Sequence, residues 1–442
     1  MTSISYEHLL QTIAAAGVVG LGGAGFPTHL KLRPRVKTVI INGAECEPLL
    51  RCDALLLRHY AAEVMSGAAV VAEATGAGEV VLAIKHKNSD LAALYDKQPC
   101  PVDFRVVLMD DVYPSGDEFF IIRDACGDIL PARAIPVERG YLVSNAGTFR
   151  AIHDAVRGVP LTHRLVSVCG AVHRPVTVEA AVGTPLARLL AAAGGESIPA
   201  ARLLTGGVMM GALAEPDDVV TKTTAAVVAL PADHPAVLER VRPLRYSVRI
   251  AEHSCCQCLK CTELCSRFLI GHEIEPHKLM RLIGTERDYR FLSSETLFNC
   301  TGCGLCSLLA CPFDLTPRRL ILEARRRIPR PKTPDPRTPV QQRSAEFYFT
   351  PTGRLLQHLN LAIYEGPHAF GGRLEPPPKL RILLQQHAGP PAVPVVQAGQ
   401  TVAAGERLAE APAPDAGAAV HAPAAGRVTE VTARAVILST GD

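Results

Sequence analysis

The stretch "GLGGAGFPTHLKLRPRVKTVIINGAECEP", residues 20–48, sets a glycine-rich loop, an apolar strand and an acidic turn one after another. Four glycines stand in its first six positions, and a proline closes the run. A loop so poor in side chains lets main-chain N–H groups converge on an anion, or lets a flat cofactor lie against the chain. A tight turn between a helix and a strand is the plainer alternative, and the neighbours decide between them. Upstream, "YEHLLQTIAAAGVVG" has helical spacing. Downstream, "TVII" reads as a buried strand, "LLLRHYAAEVMSGAAVVAEATG" as one amphipathic helix, and "EVVLAIK" and "DFRVVLM" as further strands. This alternation predicts a layered α/β domain over residues 1–160. Ligands of such sheets sit at the carboxyl ends of strands, which here is "NGAECEP".

With 442 residues the chain is too long for one core. Lys+Arg at 46 against Asp+Glu at 43 leave no basic excess, so nucleic acid is not indicated. No apolar run reaches the length of a membrane span, and the first residues lack a secretory pattern, which predicts a cytoplasmic protein. Residues 161–235 give short strands around one helix, a plausible β-grasp module. A helical region, 240–328, carries the cysteines, and 329–378 is Pro/Arg-rich and reads as a linker with solvated charges. Residues 379–442 hold two half-motifs, "VQAGQTVAAGERLAE" and "AAVHAPAAGRVTEV", of a flattened β-barrel. Biotin or lipoate carriers of that shape need a lysine to acylate, and none follows Lys379. The module is therefore expected to dock or pack, and removing residues 380–442 is expected to leave cofactor content largely unchanged.

Fourteen cysteines are present, nine of them within residues 255–311, and such crowding means metal. Cys255, Cys258, Cys261 and Cys265 follow C-x2-C-x2-C-x3-C, while Cys300, Cys303, Cys306 and Cys311 follow C-x2-C-x2-C-x4-C before Pro312. Two such runs form a ferredoxin signature in which three thiolates of one run and the distant fourth of the other hold each cubane. The predicted ligand sets are Cys255, Cys258, Cys261 and Cys311 for one 4Fe-4S cluster, and Cys300, Cys303, Cys306 and Cys265 for the other. Zinc, which favours two cysteine pairs per tetrahedral site, fits this pattern poorly. Cys256 is surplus, and Ser266 stands where ferredoxins commonly have proline. His272 and His277 lie between the runs and read as helix-surface histidines.

Together, "GLGGAGFPTHLKL", "VIINGAECEP", "YPSGDE", "VSNAGT" and the paired cysteine runs resemble the family that unites RnfC, a component of Rnf electron-transport complexes, with the PduS-type cobalamin reductases. More distantly they resemble the flavin subunit of respiratory complex I. RnfC carries its barrel-sandwich module at the N-terminus, whereas the similar segment here is at the C-terminus, so the PduS-type branch is favoured. The resemblance implies a multidomain α/β protein: a Rossmann-like FMN-binding domain, a β-grasp (SLBB) module, a helical two-cluster ferredoxin-type domain and a C-terminal barrel-sandwich hybrid.

The resemblance further implies that the backbone of Gly22, Gly23 and Gly25 lies close to FMN, with Lys31 near its phosphate and Asn42 bonded to its ring or ribityl chain. Glu45 and Glu47 would line the flavin and nicotinamide cleft, and Gly116, Glu118, Asn145 and Thr148 would complete it. Ala44 departs from the complex I pattern, which has an aspartate there. The implied activity is an NADH-dependent oxidoreductase in which hydride reaches the flavin and single electrons pass through two 4Fe-4S clusters to cobalamin, with no nucleophilic side chain. A cobalamin-dependent enzyme or adenosyltransferase and microcompartment shell proteins are the implied partners, and a bacterial microcompartment the implied location. Two other readings stay open: an RnfC-like peripheral NADH-oxidising subunit of a membrane electron-transport complex, and a non-enzymatic scaffold that binds soluble ligands.

Overall fold

The computed structural model describes residues 4–33, 35–284, 294–331, 333–413 and 417–441. In the first domain, α1 (Tyr6–Ala15) and the short α2 (Thr28–Lys31) precede β1 (Thr38–Gly43). Then come α3 (Cys52–His59), α4 (Ala61–Thr75), β2 (Glu79–Lys85), α5 (Ala92–Tyr95), β3 (Asp103–Met109), β4 (Val112–Tyr113), α6 (Glu118–Cys126), β5 (Tyr141–Asn145) and α7 (Ala146–Val156). The main sheet runs β3-β2-β1-β5 with every pairing parallel. Both its faces are covered, which is why its strands read as nearly continuous apolar runs. Ile40, Val81 and Ala83 pack under α6, while Val39, Ile41 and Leu82 pack under α1, α4 and α7. The single helix expected after residue 54 is two, because Tyr60 leaves helical geometry at φ −130°, ψ 36°. At that break the Tyr60 ring lies 3.6 Å beneath the Arg150 guanidinium, a contact with no local sequence signal.

The second domain holds β6 (His163–Gly170), β7 (Val176–Ala181), α8 (Leu186–Ala192), β8 (Arg202–Thr205), β9 (Ala212–Ala214) and β10 (Ala226–Leu230). The cysteine-bearing helices follow: α9 (Pro235–Val241), α10 (Leu244–Ser254), α11 (Lys260–Glu263), α12 (Ser266–Leu269), α13 (Pro276–Gly284), α14 (Ser294–Phe298) and α15 (Pro317–Arg326). Their core joins Ala251, Leu279, Leu297 and Ile321, with Cys255, Cys300 and Cys311 packed at its edge.

Residues 329–378 are more than a linker. Within them β11 (Thr350–Pro351) pairs with β4, and β12 (Ala369–Arg373) joins the β-grasp sheet beside β7. Arg373 is bound to Glu179, and Arg337 to Asp335 and Glu273, so these charges are engaged rather than merely solvated. The segment straps the cysteine domain, flavin-type domain and β-grasp together.

The C-terminal strands, Lys379–Leu383 through Ala435–Ser439, form a four-stranded and a three-stranded sheet. Leu380, Ile382 and Leu384 share a core with Ala181 and Val182 of the β-grasp. Lys222, 1% exposed, donates Nζ to Gly17 O at 2.7 Å and to Ala419 O at 2.6 Å, riveting three domains at one point. Ala388 N donates to Gly25 O at 2.9 Å, so the module touches the glycine loop. The module packs, as the missing lysine implies, but the expectation that cofactor content is independent of it does not follow from this contact. Substituting Lys222→Met is expected to strip two buried carbonyls of their donor, costing about 1–3 kcal/mol for each group left unsatisfied. The melting temperature should fall accordingly and limited proteolysis should open residues 380–441 first; an unchanged melt would contradict the rivet.

Candidate flavin cleft and cysteine pockets

The glycine loop is closed by backbone bonds from Gly20 N to Phe26 O (2.8 Å) and from Thr28 N to Val18 O (3.1 Å). Its free edge is pinned twice at Leu21, whose N–H donates to Thr148 Oγ1 at 3.0 Å and whose carbonyl accepts from Arg164 Nη2 at 2.8 Å. Gly22 faces Asn145, and an added Cβ would stand 3.6 Å from that side chain. Gly23, at φ 109°, has open space where a Cβ would be, so its backbone is bare. Gly25, at φ 62°, differs: its Cβ would meet Thr223 at 3.0 Å and His387 at 3.2 Å. Its small size serves domain packing at this point.

Asn42, one residue before the end of β1, pairs in register with Asn145, the last residue of β5. Asn42 donates Nδ2 to Gly116 O at 3.0 Å and accepts from Ala44 N at 3.1 Å. Asn145 caps α7 by accepting from Gly147 N at 2.9 Å, and its Nδ2 reaches Asp53 Oδ2 at 2.9 Å. Lys31 and Glu118 form an ion pair across the opposite side. Gly22, Lys31, Asn42, Gly116, Glu118, Asn145 and Thr148 are thereby linked around the carboxyl ends of β1 and β5, where a doubly wound sheet binds its ligands.

The two acids of "NGAECEP" are each held by backbone N–H groups. Glu45 accepts from Asp53 N at 2.9 Å and Ala54 N at 3.4 Å, capping α3. Glu47 clamps the domains: its two oxygens accept from Met209 N (2.9 Å) and Met210 N (2.7 Å) of the β-grasp loop. Burial, and then the charge of Asp53, push the Glu45 carboxyl up to about 7 against two N–H bonds that favour its charged form.

The cysteines fall into two groups. Cys255, Cys258, Cys261 and Cys311 line one pocket, with Cys256, His277 and Phe313 at its wall. Cys265, Cys300, Cys303 and Cys306 line another, with Arg267 and Arg318. Each run thus lends its fourth cysteine to the other's pocket, and the donor set of four thiols per cavity fits a cubane. Cys256 and Cys258 are exposed, whereas Cys303 and Cys306 are buried. His272 is not on the surface but 3% exposed, with Nε2 at 2.9 Å from Leu130 O; His277 bonds Thr262 Oγ1 at 2.8 Å.

The inner pocket abuts the flavin-type cleft. Tyr113, 2% exposed, donates its hydroxyl to Cys303 O at 2.7 Å. Met209 is held from both sides, its N–H by Glu47 and its carbonyl by Arg318 and Arg240. Asp53, Tyr113, Arg164 and Met209 escaped the sequence reading; their contacts span 92 to 190 residues along the chain, save those within neighbouring motifs.

Residues 13–154 match the Nuo51 FMN-binding domain, 165–213 the SLBB domain, 254–316 a 4Fe-4S dicluster domain and 372–441 the RnfC barrel sandwich hybrid domain. The cobalamin reductase PduS of Citrobacter freundii is 36% identical over 440 residues, 98% of this chain and 97% of that protein. This chain belongs to the PduS family. The PduS of Salmonella typhimurium is 35% identical, covering 99% of this chain and 98% of its own. One component of the ion-translocating oxidoreductase complex of Rhodobacter capsulatus is 39% identical, but over 51% of this chain and 45% of that one. An NAD+-reducing [NiFe]-hydrogenase in the H2-reduced state superposes with a TM-score of 0.51 at 19% identity, over 83% of this chain and 68% of that chain, a likeness of fold. As a PduS-family member, the chain is an oxidoreductase of the FMN and 4Fe-4S class. No helix among the described residues is long and apolar enough to cross a membrane.

The raised Glu45 carboxyl has a definite sign. A carboxyl bound more tightly to its proton in the folded state stabilises the fold fully below its ordinary pKa of 4.5, and that contribution is lost as pH rises through about 7. Glu45→Gln, which keeps a capping oxygen, should therefore unfold at higher temperature than the parent at pH 8 and show no such advantage at pH 4, the difference growing by at most about 1.4 kcal/mol per pH unit between them. A pH-independent difference in melting would refute the assignment.

Proposed function

We propose that the chain carries reducing equivalents from NADH to a corrinoid. When bound, FMN would supply hydride acceptance, and the two 4Fe-4S clusters would supply single-electron carriage. Gly22 and Gly23 offer bare backbone to the flavin, Lys31 offers a cation for its phosphate, and the Asn42 and Asn145 amides offer orienting polar groups. Cys265, Cys300, Cys303 and Cys306 would hold the inner cluster, and Cys255, Cys258, Cys261 and Cys311 the outer one. The observation that carries the reading is the Tyr113 to Cys303 bond, which joins a cleft loop to the inner pocket, while exposed Cys258 marks the outer pocket as the exit side.

The acceptor is drawn from the two full-length relatives, whose names state cobalamin reductase. The same kinship motivates a place in a bacterial microcompartment beside shell proteins and a cobalamin-dependent enzyme or adenosyltransferase. Purified, anaerobically reconstituted chain with NADH alone should reduce aquacobalamin. A loaded protein that reduces dyes but never the corrinoid would remove this acceptor and favour the RnfC-like reading. Within that protein, Cys311→Ala should lose the outer cluster, leaving about half the iron and an intact inner-cluster spectrum. Loss of the inner cluster instead would reverse the ligand sets.

A further inference from the structure

Arg267 stands two residues past Cys265 and lines the inner cysteine pocket. Its guanidinium meets Asp117 fork to fork, Nη2 at 2.9 Å from Oδ1 and Nε at 3.0 Å from Oδ2. The side chains of the pair are 11% and 8% exposed. The cation also lies 3.9 Å from the centroid of Phe119, whose ring meets His272 edge-on. Asp117 is the N-cap of α6 and sits between Gly116 and Glu118, both on the cleft. One side chain therefore spans the wall of the cysteine pocket and the loop of the cleft. A bidentate Arg–carboxylate pair fixes geometry as well as charge, and its partners are not interchangeable with a lysine.

We infer that Arg267 is a positioning residue for electron transfer: it fixes the inner cysteine pocket against the flavin cleft, and its charge, facing the pocket with Asp117 on the cleft side, favours the reduced state of the cluster held there. The inference rests on the proposed flavin and cluster sites. With both groups bound, the pair would stand between them: reduced flavin would supply two electrons, passed on one at a time by the cluster, with one proton released to solvent and no bond to the protein formed or broken. Fixed charge and hydrogen bonding near a cluster set its potential, so the two members of the pair act with opposite sign.

The test uses reconstituted holoprotein carrying Arg267→Met, Asp117→Asn or Arg267→Lys, each first assayed for flavin and iron. Redox titration followed by electron paramagnetic resonance should show a lower inner-cluster midpoint in Arg267→Met and a higher one in Asp117→Asn, with the outer cluster's midpoint in place. Anaerobic rapid mixing with NADH should leave flavin reduction unchanged in Arg267→Met while slowing cluster reduction several-fold. Without reductant, hydrogen exchange should rise in α6. Arg267→Lys keeps the charge but loses the fork, and should keep the midpoint while slowing cluster reduction; it carries the test if Arg267→Met loses iron. In fully loaded protein, midpoints of Arg267→Met and Asp117→Asn that move together or not at all, or an unchanged second phase in Arg267→Met or Arg267→Lys, would overturn the inference. A parent protein that takes up neither flavin nor iron would instead sink the proposed function on which it rests.

Discussion

The hydroxyl of Tyr113, donated to the carbonyl of Cys303 across 190 residues of chain, joins the two halves of the molecule that have to work together. Tyr113 lies in β4, and β4 is held by the strap strand β11, so the bond is braced from behind by a segment far along the sequence. A buried phenol needs such a partner, and the carbonyl of a pocket-lining residue gives it one. The cleft loop and the cysteine pocket are consequently fixed relative to one another, with the pocket of buried Cys303 and Cys306 on the Tyr113 side and that of exposed Cys258 further out.

Around this joint the other domains act as clamps. Glu47 ties the acidic turn to the β-grasp loop through two N–H groups, and Arg318 ties the same loop to the cysteine domain while paired with Glu239. Arg164 reaches from β6 to the glycine loop, and Lys222 and Ala388 bring the C-terminal module onto the same region. Glu47, Arg318 and Lys222 are tolerated as buried charges because each has two or more hydrogen-bonding partners. The β-grasp and C-terminal modules thus brace the glycine loop and the acidic turn.

Much of this was legible because it is local. The cysteine spacings state both the metal class and the crossed sets, since the exchange of the fourth ligand is a property of the paired runs themselves. The parallel sheet and the carboxyl-end location of the cleft follow from buried runs and alternation. What the sequence does not reveal depends on partners far away along the chain. Glu47 resembles a cleft acid by its neighbours, yet its partners lie 162 and 163 residues onward. Gly25 reads with the other glycines, although the groups crowding it belong to Thr223 and His387. The Pro/Arg-rich stretch has linker composition, but two short strands within it are recruited by sheets formed earlier in the chain. The break at Tyr60 carries neither proline nor glycine.

The central claim is that two crossed cysteine sets are stacked in line with one flavin cleft. Iron-edge anomalous diffraction from crystals of the FMN-loaded, anaerobically reconstituted protein tests it directly. The account predicts two anomalous peaks, the inner among Cys265, Cys300, Cys303 and Cys306 and the outer among Cys255, Cys258, Cys261 and Cys311, with flavin density against Gly22 and Gly23 on the side of the inner peak. Iron held by each run's own four cysteines, or flavin nearer the outer peak, would contradict it.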